Sequence, residues 1–126
     1  MIDDWNSRHE DVFCHFEFKG KFDELGEEVN ISIYRVIQES LTNIIKHAQA
    51  TDVTVRLNRV ELNRVENDTS YRFGVKLLVK DNGVGFDESN QRGLGLLGMR
   101  ERVEALNGYF TMKSAINGGV EIMVSL

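Results

Sequence analysis

The sequence predicts a two-layer α/β domain in which helices cover one face of a mixed, mostly antiparallel sheet. Three observations carry that prediction: the order of hydrophobic periods, one long helical pattern at residues 27–49, and two hairpin signatures in the second half. Read in order, the elements are strand, helix, hairpin, loop, helix, hairpin. That order layers helices on one face of a sheet instead of alternating them with parallel strands.

Residues 2–10 are expected to form a short helix anchored to the core by Trp5. In residues 12–19, Phe16 and Phe18 alternate with His15 and Glu17, the period-two signature of a half-buried strand. A loop follows over residues 19–26. From residue 27 to residue 49, Ile33, Val36, Ile37, Leu41, Ile44, Ile45 and Ala48 recur at spacings of three and four, which predicts the longest helix. A strand then runs from Val53 to Leu57, a turn falls at Glu66 to Ser70, and Tyr71, Phe73, Val75, Leu77 and Val79 alternate on the return. Residues 83–98 are rich in glycine and polar groups and lack a period. Residues 99–106 read as a helix stopped by Asn107-Gly108, and a closing hairpin bends around Asn117-Gly-Gly119. No internal repeat, linker or low-complexity tract interrupts the chain.

A length of 126 residues predicts one domain with a single core. Apolar content of 41% and charged content of 28% are ordinary for a soluble globular chain. The formal net charge of −5 argues against a direct nucleic-acid surface. No stretch approaches the roughly 18–20 apolar residues that cross a bilayer, so no membrane contact by this chain is expected. The acidic start Met1-Ile-Asp-Asp does not resemble a secretory signal. Cys14 is the single cysteine, which rules out an intrachain disulfide, fits a reducing cytoplasm and reads as an ordinary strand side chain.

Three polar clusters carry chemistry. On the long helix, Glu39, Asn43 and Lys46 fall within about 60° of one another, flanked by His47 and opposite the apolar stripe. An Asn carbonyl beside a water-holding carboxylate suits a magnesium ion that keeps most of its ligands as water and phosphate. Read alone, the same stripe equally describes a solvated helix face. The second cluster is Asp81-Asn-Gly83-Val-Gly85 after an apolar strand. A strand-end carboxylate can accept the exocyclic amine of adenine, and the glycines allow close backbone approach. Read alone, it is also a common Asp-Asn-Gly turn.

The third cluster, Gly93-Leu-Gly95-Leu96-Leu-Gly98, fits the dinucleotide-binding spacing letter for letter. That reading fails on context. Asp87 to Arg92 form no strand before it, and Gly118 stands where an acidic residue is needed. A phosphate loop fails too, because no Gly-Lys-Ser/Thr follows. What remains is a flexible loop entering a helix whose free amides can face phosphates, with Arg92, Arg100 and Arg102 adding positive charge.

In this order and at these separations, the clusters resemble the ATP-binding domain of the GHKL superfamily, which includes gyrase, Hsp90, MutL and the histidine kinases. Tyr34-Arg-Val-Ile-Gln-Glu-Ser-Leu-Thr-Asn-Ile-Ile-Lys-His-Ala48, Asp81-Asn-Gly-Val-Gly-Phe86 and Gly95-Leu-Leu-Gly-Met-Arg-Glu-Arg102 are similar to the N, G1 and G2 boxes of sensor histidine kinases of the NarX, NreB and DesK type. The resemblance extends from about Trp5 to Leu126. It implies a Bergerat-type α/β sandwich, with ATP between the long helix and a flexible lid over residues 86–98.

Carried over by motif position, Asn43 would ligate Mg²⁺ and Glu39 would hold a metal-bound water, with Lys46 and His47 beside the phosphates. Asp81 would read adenine over Gly83 and Gly85. Gly93, Gly95, Leu96, Gly98 and Arg100 would form the lid hinge and the phosphate-facing helix start. One departure stands out: the family often has Gly-Thr where this chain has Gly119-Val120, and valine lacks the hydroxyl that helps position adenine. That change is expected to weaken or alter base recognition.

The implied function is transfer of the γ-phosphoryl of ATP to a histidine on a separate dimerisation domain, for relay to a response regulator with a helix-turn-helix output. The parent would be a homodimeric sensor, cytoplasmic or membrane-anchored, and this chain would be its catalytic domain. His9-Glu10 superficially resembles the acceptor motif but lacks the long heptad hairpin that would present it. Two other functions fit the same motifs: an ATP hydrolase of the gyrase branch with Glu39 as general base, and a non-catalytic nucleotide-sensing module.

Overall fold

The computed structural model describes residues 12–20, 26–61, 73–85, 95–115 and 117–126. The expected helix at 2–10 with Trp5 and His9, the turn at Glu66 to Ser70, Arg92, Gly93 and lid residues 86–94 lie outside the described residues.

The chain forms strand β1 (Phe13–Lys19), helix α1 (Glu27–Asn43) continued by a π-helical turn (Ile44–Ala48), strands β2 (Asp52–Glu61) and β3 (Phe73–Asp81), helix α2 (Leu96–Glu104), and strands β4 (Tyr109–Ala115) and β5 (Gly119–Ser125). The five-stranded sheet has the order β1-β2-β3-β5-β4. Only β1 and β2 run parallel, and every other neighbouring pair is antiparallel. This is the mixed, helix-covered sheet that the order of sequence periods predicts.

One apolar layer joins sheet to helices. Ile33, Val36, Ile37, Leu41 and Ile44 bring the stripe of α1 and its π turn into the same buried cluster as Val53, Val55 and Leu57 of β2, and Val75, Leu77 and Val79 of β3. Val120, Ile122 and Val124 of β5 extend it, and Met99 and Val103 close it from α2. The strand residues alternate because a pleat sends every second side chain to the same face. Burying a Val or Leu side chain is worth about 1.5–3 kcal/mol, so this layer fixes the sheet register that positions Asp81.

Three elements differ in detail from their sequence reading. In β1 the buried side chain is Cys14, whereas Phe16 and Phe18 stay 40% and 52% exposed. They share the core-facing parity of Cys14, but β1 is an edge strand and the core is centred on β2, β3 and β5. Burial pushes the Cys14 thiol up to about 11, consistent with an inert packed side chain. The long helix leaves α geometry after Asn43, and Gln49 stops it with a left-handed φ of 50°. Helix α2 starts at Leu96, earlier than residue 99, because Leu96 packs on the core while exposed Leu97 and side-chain-free Gly98 hide the period. Its end matches the Asn107-Gly108 signal. Asn107 is left-handed, its N–H reaches the Glu104 carbonyl at 2.9 Å, and the Gly108 N–H reaches the Val103 carbonyl at 3.0 Å.

Where β5 begins beside the end of β3, Gly119 has φ +78° and a Cβ there would strike the Asp81 carbonyl. Gly98 is the opposite case: it sits in α2 with open space around a would-be Cβ. Gly119→Ala is therefore expected to destabilise the fold by about 1–3 kcal/mol. Gly98→Ala should instead stabilise it by up to about 1 kcal/mol. Urea unfolding midpoints of the two variants should move in opposite directions, and a shared direction would contradict this reading of the backbone.

Candidate functional site

Among the described residues four polar side chains are buried: Ser32, Ser40, Asn43 and Asp81. Buried polar groups are the informative exceptions in a core, since each must be satisfied or held for a purpose. The Ser40 hydroxyl points at the Met99 sulfur, 3.9 Å away, across the α1–α2 contact. Asn43 ends α1 and has an interaction partner. Asp81 is 3% exposed at the end of β3, in the same inward-facing row as Val75, Leu77 and Val79.

The Asp81 carboxylate is held on one side only. Its Oδ1 accepts the Gly83 N–H at 2.7 Å, forming an Asx-type turn. Its Oδ2 is buried and has no hydrogen-bond partner among the described residues. Burial pushes the carboxyl above its ordinary range, against a downward pull from the backbone N–H groups of Gly83 and Val120. A bare, buried carboxylate oxygen costs free energy until a donor reaches it.

The surrounding backbone is stitched tightly. Asn82 turns outward, and its Oδ1 accepts the N–H groups of Thr51 and Asp52, each at 3.0 Å. It therefore ties the end of β3 to the start of β2. The Val84 carbonyl accepts the Asn117 N–H at 2.7 Å, which joins the loop after β3 to the β4–β5 turn. Gly85 lies against the Ala115 carbonyl and Gly119 against Asp81, so both approaches need the missing side chain. Val120 is buried in the core, and its amide, not its side chain, bears on the Asp81 carboxylate.

The helices build a second wall. Glu39 is exposed on α1, one turn before Asn43, and Gly95 comes so near that a Cβ there would lie 3.2 Å from the Glu39 Oε2. Lys46 is exposed in the π turn, and His47 follows it with a side chain outside the described residues. Gly95, left-handed at φ +67°, is the N-terminal residue before α2, and no side chain caps that end. The first amides of α2 are thus left for another acceptor. Leu96 is half-buried on the core, and Gly98 is exposed.

Arg100 turns to the other side of α2. Its guanidinium donates to the Phe110 carbonyl at 3.2 Å, stacks 5.2 Å from the Phe110 ring and pairs with Glu104 at 3.8 Å. The arginines beside Glu39 are instead Arg35 and Arg102, which with Gln38, Glu39, Gly95 and Gly98 line a cavity of about 170 Å³. The sequence alone gives Arg35 no role. The available signal was its place four residues before Glu39, on the same helical face. In sequence Asn82 is only part of a turn, while the structure gives it the strand-joining role.

These residues fit the groups that the motifs imply. The bare Asp81 Oδ2 matches an amine donor. Among the described residues no group of three or more His, Cys, Asp or Glu side chains is placed to hold a metal ion. A magnesium ion held by Asn43 and Glu39 would therefore draw its other ligands from water and phosphate, as that ion prefers.

Comparison with known proteins agrees with the geometry. Residues 28–126 match the family described as histidine kinase-, DNA gyrase B-, and HSP90-like ATPase. The signal transduction histidine-protein kinase/phosphatase DegS of Brevibacillus brevis is 34% identical over 120 residues, covering 94% of this chain and 28% of that protein. The oxygen sensor histidine kinase NreB of Staphylococcus carnosus is 37% identical over 102 residues, covering 79% of this chain and 26% of that protein. The chain thus spans less than a third of the length of these relatives. The solved histidine kinase domain from the Erythrobacter litoralis EL346 blue-light activated histidine kinase shares the fold at a TM-score of 0.65 and 18% identity, covering 99% of this chain and 60% of that one. On its motifs, its sheet order and a family match spanning both helices, this chain belongs to the histidine kinase-, DNA gyrase B- and HSP90-like ATPases.

Proposed function

We propose that this chain is the ATP-binding catalytic domain of a two-component sensor histidine kinase. It would hold Mg-ATP and present the γ-phosphoryl to a histidine on a separate dimerisation domain, for relay to a response regulator. The observation that carries this reading is the buried Asp81 carboxylate with one oxygen held and one bare. The names of the relatives, all histidine kinases, support the reaction and the partner class.

The residues divide the work. Asp81 Oδ2 accepts the adenine amine, and Gly83, Gly85 and Gly119 let the backbone close around the base. Val120 leaves the base without a hydroxyl contact, which loses about 1 kcal/mol relative to a threonine. Asn43 and Glu39 hold the magnesium ion, whose chemistry when bound is to neutralise phosphate charge. Lys46 lies in the π turn one turn beyond Asn43, and motif position assigns it and His47 to the same phosphates. Gly95, Leu96 and Gly98 present the uncapped amides of α2. Transfer then depends on positioning and charge neutralisation. The proton from the attacking histidine goes to a group on the dimerisation domain, so the chain alone should bind ATP yet turn it over slowly. Mixing it with a dimeric segment bearing the acceptor histidine should yield acid-labile phosphohistidine. Rapid phosphate release without that segment would instead favour the hydrolase reading.

Asp81→Asn should weaken ATP and ADP binding tenfold or more, because a hydrogen bond to a charged group is worth about 1.5–3 kcal/mol. The same variant should leave the ligand-free fold as stable at neutral pH, or more so. Since the folded pKa is raised, ionised Asp81 costs stability above the ordinary carboxylate range, and that stability returns as pH falls through the folded pKa. Nucleotide affinity should show the reverse trend, weakening as protonation removes the acceptor. Calorimetric titration across pH checks both, and unchanged affinity in Asp81→Asn would remove the adenine role.

Asn43→Ala should weaken binding in the presence of Mg²⁺ more than in its absence. Equal losses with and without the ion, measured by the same titration, would make Asn43 a structural residue only.

A further inference from the structure

Arg35 of α1 and Arg102 of α2 come from separate helices and line one cavity. Neither forms an ion pair or hydrogen bond with any described residue, in contrast to Arg100. Among the described residues that line the cavity the one anionic side chain is Glu39, set against two guanidinium groups. Guanidinium is always charged, and its planar donors suit the paired oxygens of a phosphoryl group. The position of Arg102 in the last turn of α2 also suits the helix dipole, but that leaves Arg35 unexplained. Glu39 and Gly95 belong both to this cavity and to the proposed nucleotide site, so the cavity continues the phosphate end of that site.

We infer that Arg35 and Arg102 form an anion subsite for the terminal phosphoryl of a nucleoside triphosphate, and so set the preference for ATP over ADP. This rests on the nucleotide-binding function proposed above. Placed beside Glu39, phosphoryl oxygens would meet a like charge, and the two arginines offset that repulsion. A diphosphate lacks that phosphoryl and would gain nothing from the subsite. Arg100, another cation of the same motif, is not counted in this subsite because its guanidinium is engaged by Phe110 and Glu104.

The test is calorimetric titration of the wild-type chain and of Arg35→Gln, Arg102→Gln and Arg102→Lys with ADP and with a non-hydrolysable ATP analogue, all with Mg²⁺. Each Gln variant should lose tenfold or more in affinity for the ATP analogue while ADP affinity stays within about twofold, and the Lys variant should recover part of the loss. The unchanged ADP affinity reports an intact fold within the same experiment. Equal losses for both nucleotides, or no loss for either, would overturn the subsite. Wild-type protein that binds ADP but not the analogue more tightly would overturn it as well. Wild-type protein that binds neither would overturn the nucleotide site and this inference together.

Discussion

The site depends on one carboxylate that the fold buries without fully satisfying. Asp81 has the inward parity of β3, in register with three valine and leucine positions of the core, so the pleat alone carries it under the helical layer. There it loses water, is held by the Gly83 amide with the Val120 amide also bearing on it, and leaves Oδ2 bare among the described residues. A protein selected for stability alone would place an apolar residue or an asparagine at that point. An acid there makes physical sense if a donor from outside completes it, and the adenine amine is the donor we propose for it.

Around that carboxylate the molecule is built as a rigid floor and a looser wall. The floor is the junction of β3 and β5, where Gly119 and Gly85 let backbone touch backbone and Asn82 and Val84 lock the loop to its neighbours. Bonds of this kind fix geometry more than they add stability, since each is worth only about 1 kcal/mol net. The wall is formed by α1, its π turn and the start of α2. A π turn is a common way to redirect side chains at a functional site, and here it follows directly on Asn43 and carries Lys46. Contact between the helices is mediated by Ser40 and Met99 and by the near approach of Gly95 to Glu39. Among the described residues few bonds join the two helices of this wall. That suits the nucleotide site proposed for it.

Much of the fold was legible because its periods are strong. The alternation from Phe73 to Val79 and the three-and-four spacing from Ile33 to Ile44 each leave one reading, and the order of elements then selects a helix-covered sheet. The chemistry was legible where local motif and position coincide, as at Asp81-Asn-Gly83. What escaped was set by tertiary context. Phe16 and Phe18 carry the pattern of a buried strand face, but an edge strand leaves them open. The early start of α2 is masked by Leu97 and Gly98, which carry no inward side chain. Arg100 and Arg102 are indistinguishable in sequence. Only the rotation of α2 against β4 turns one toward Phe110 and the other toward Glu39.

The central claim, that Asp81 Oδ2 is completed by the adenine amine, is most directly tested by following the Asp81 carboxyl carbon by NMR through a pH titration. The free protein should titrate above the ordinary carboxylate range. Saturating ADP should bring that titration down, because an amine donor favours the charged form, and GDP should not. An Asp81 carboxyl that titrates at the same pH with and without ADP, while ADP is bound, would contradict the account.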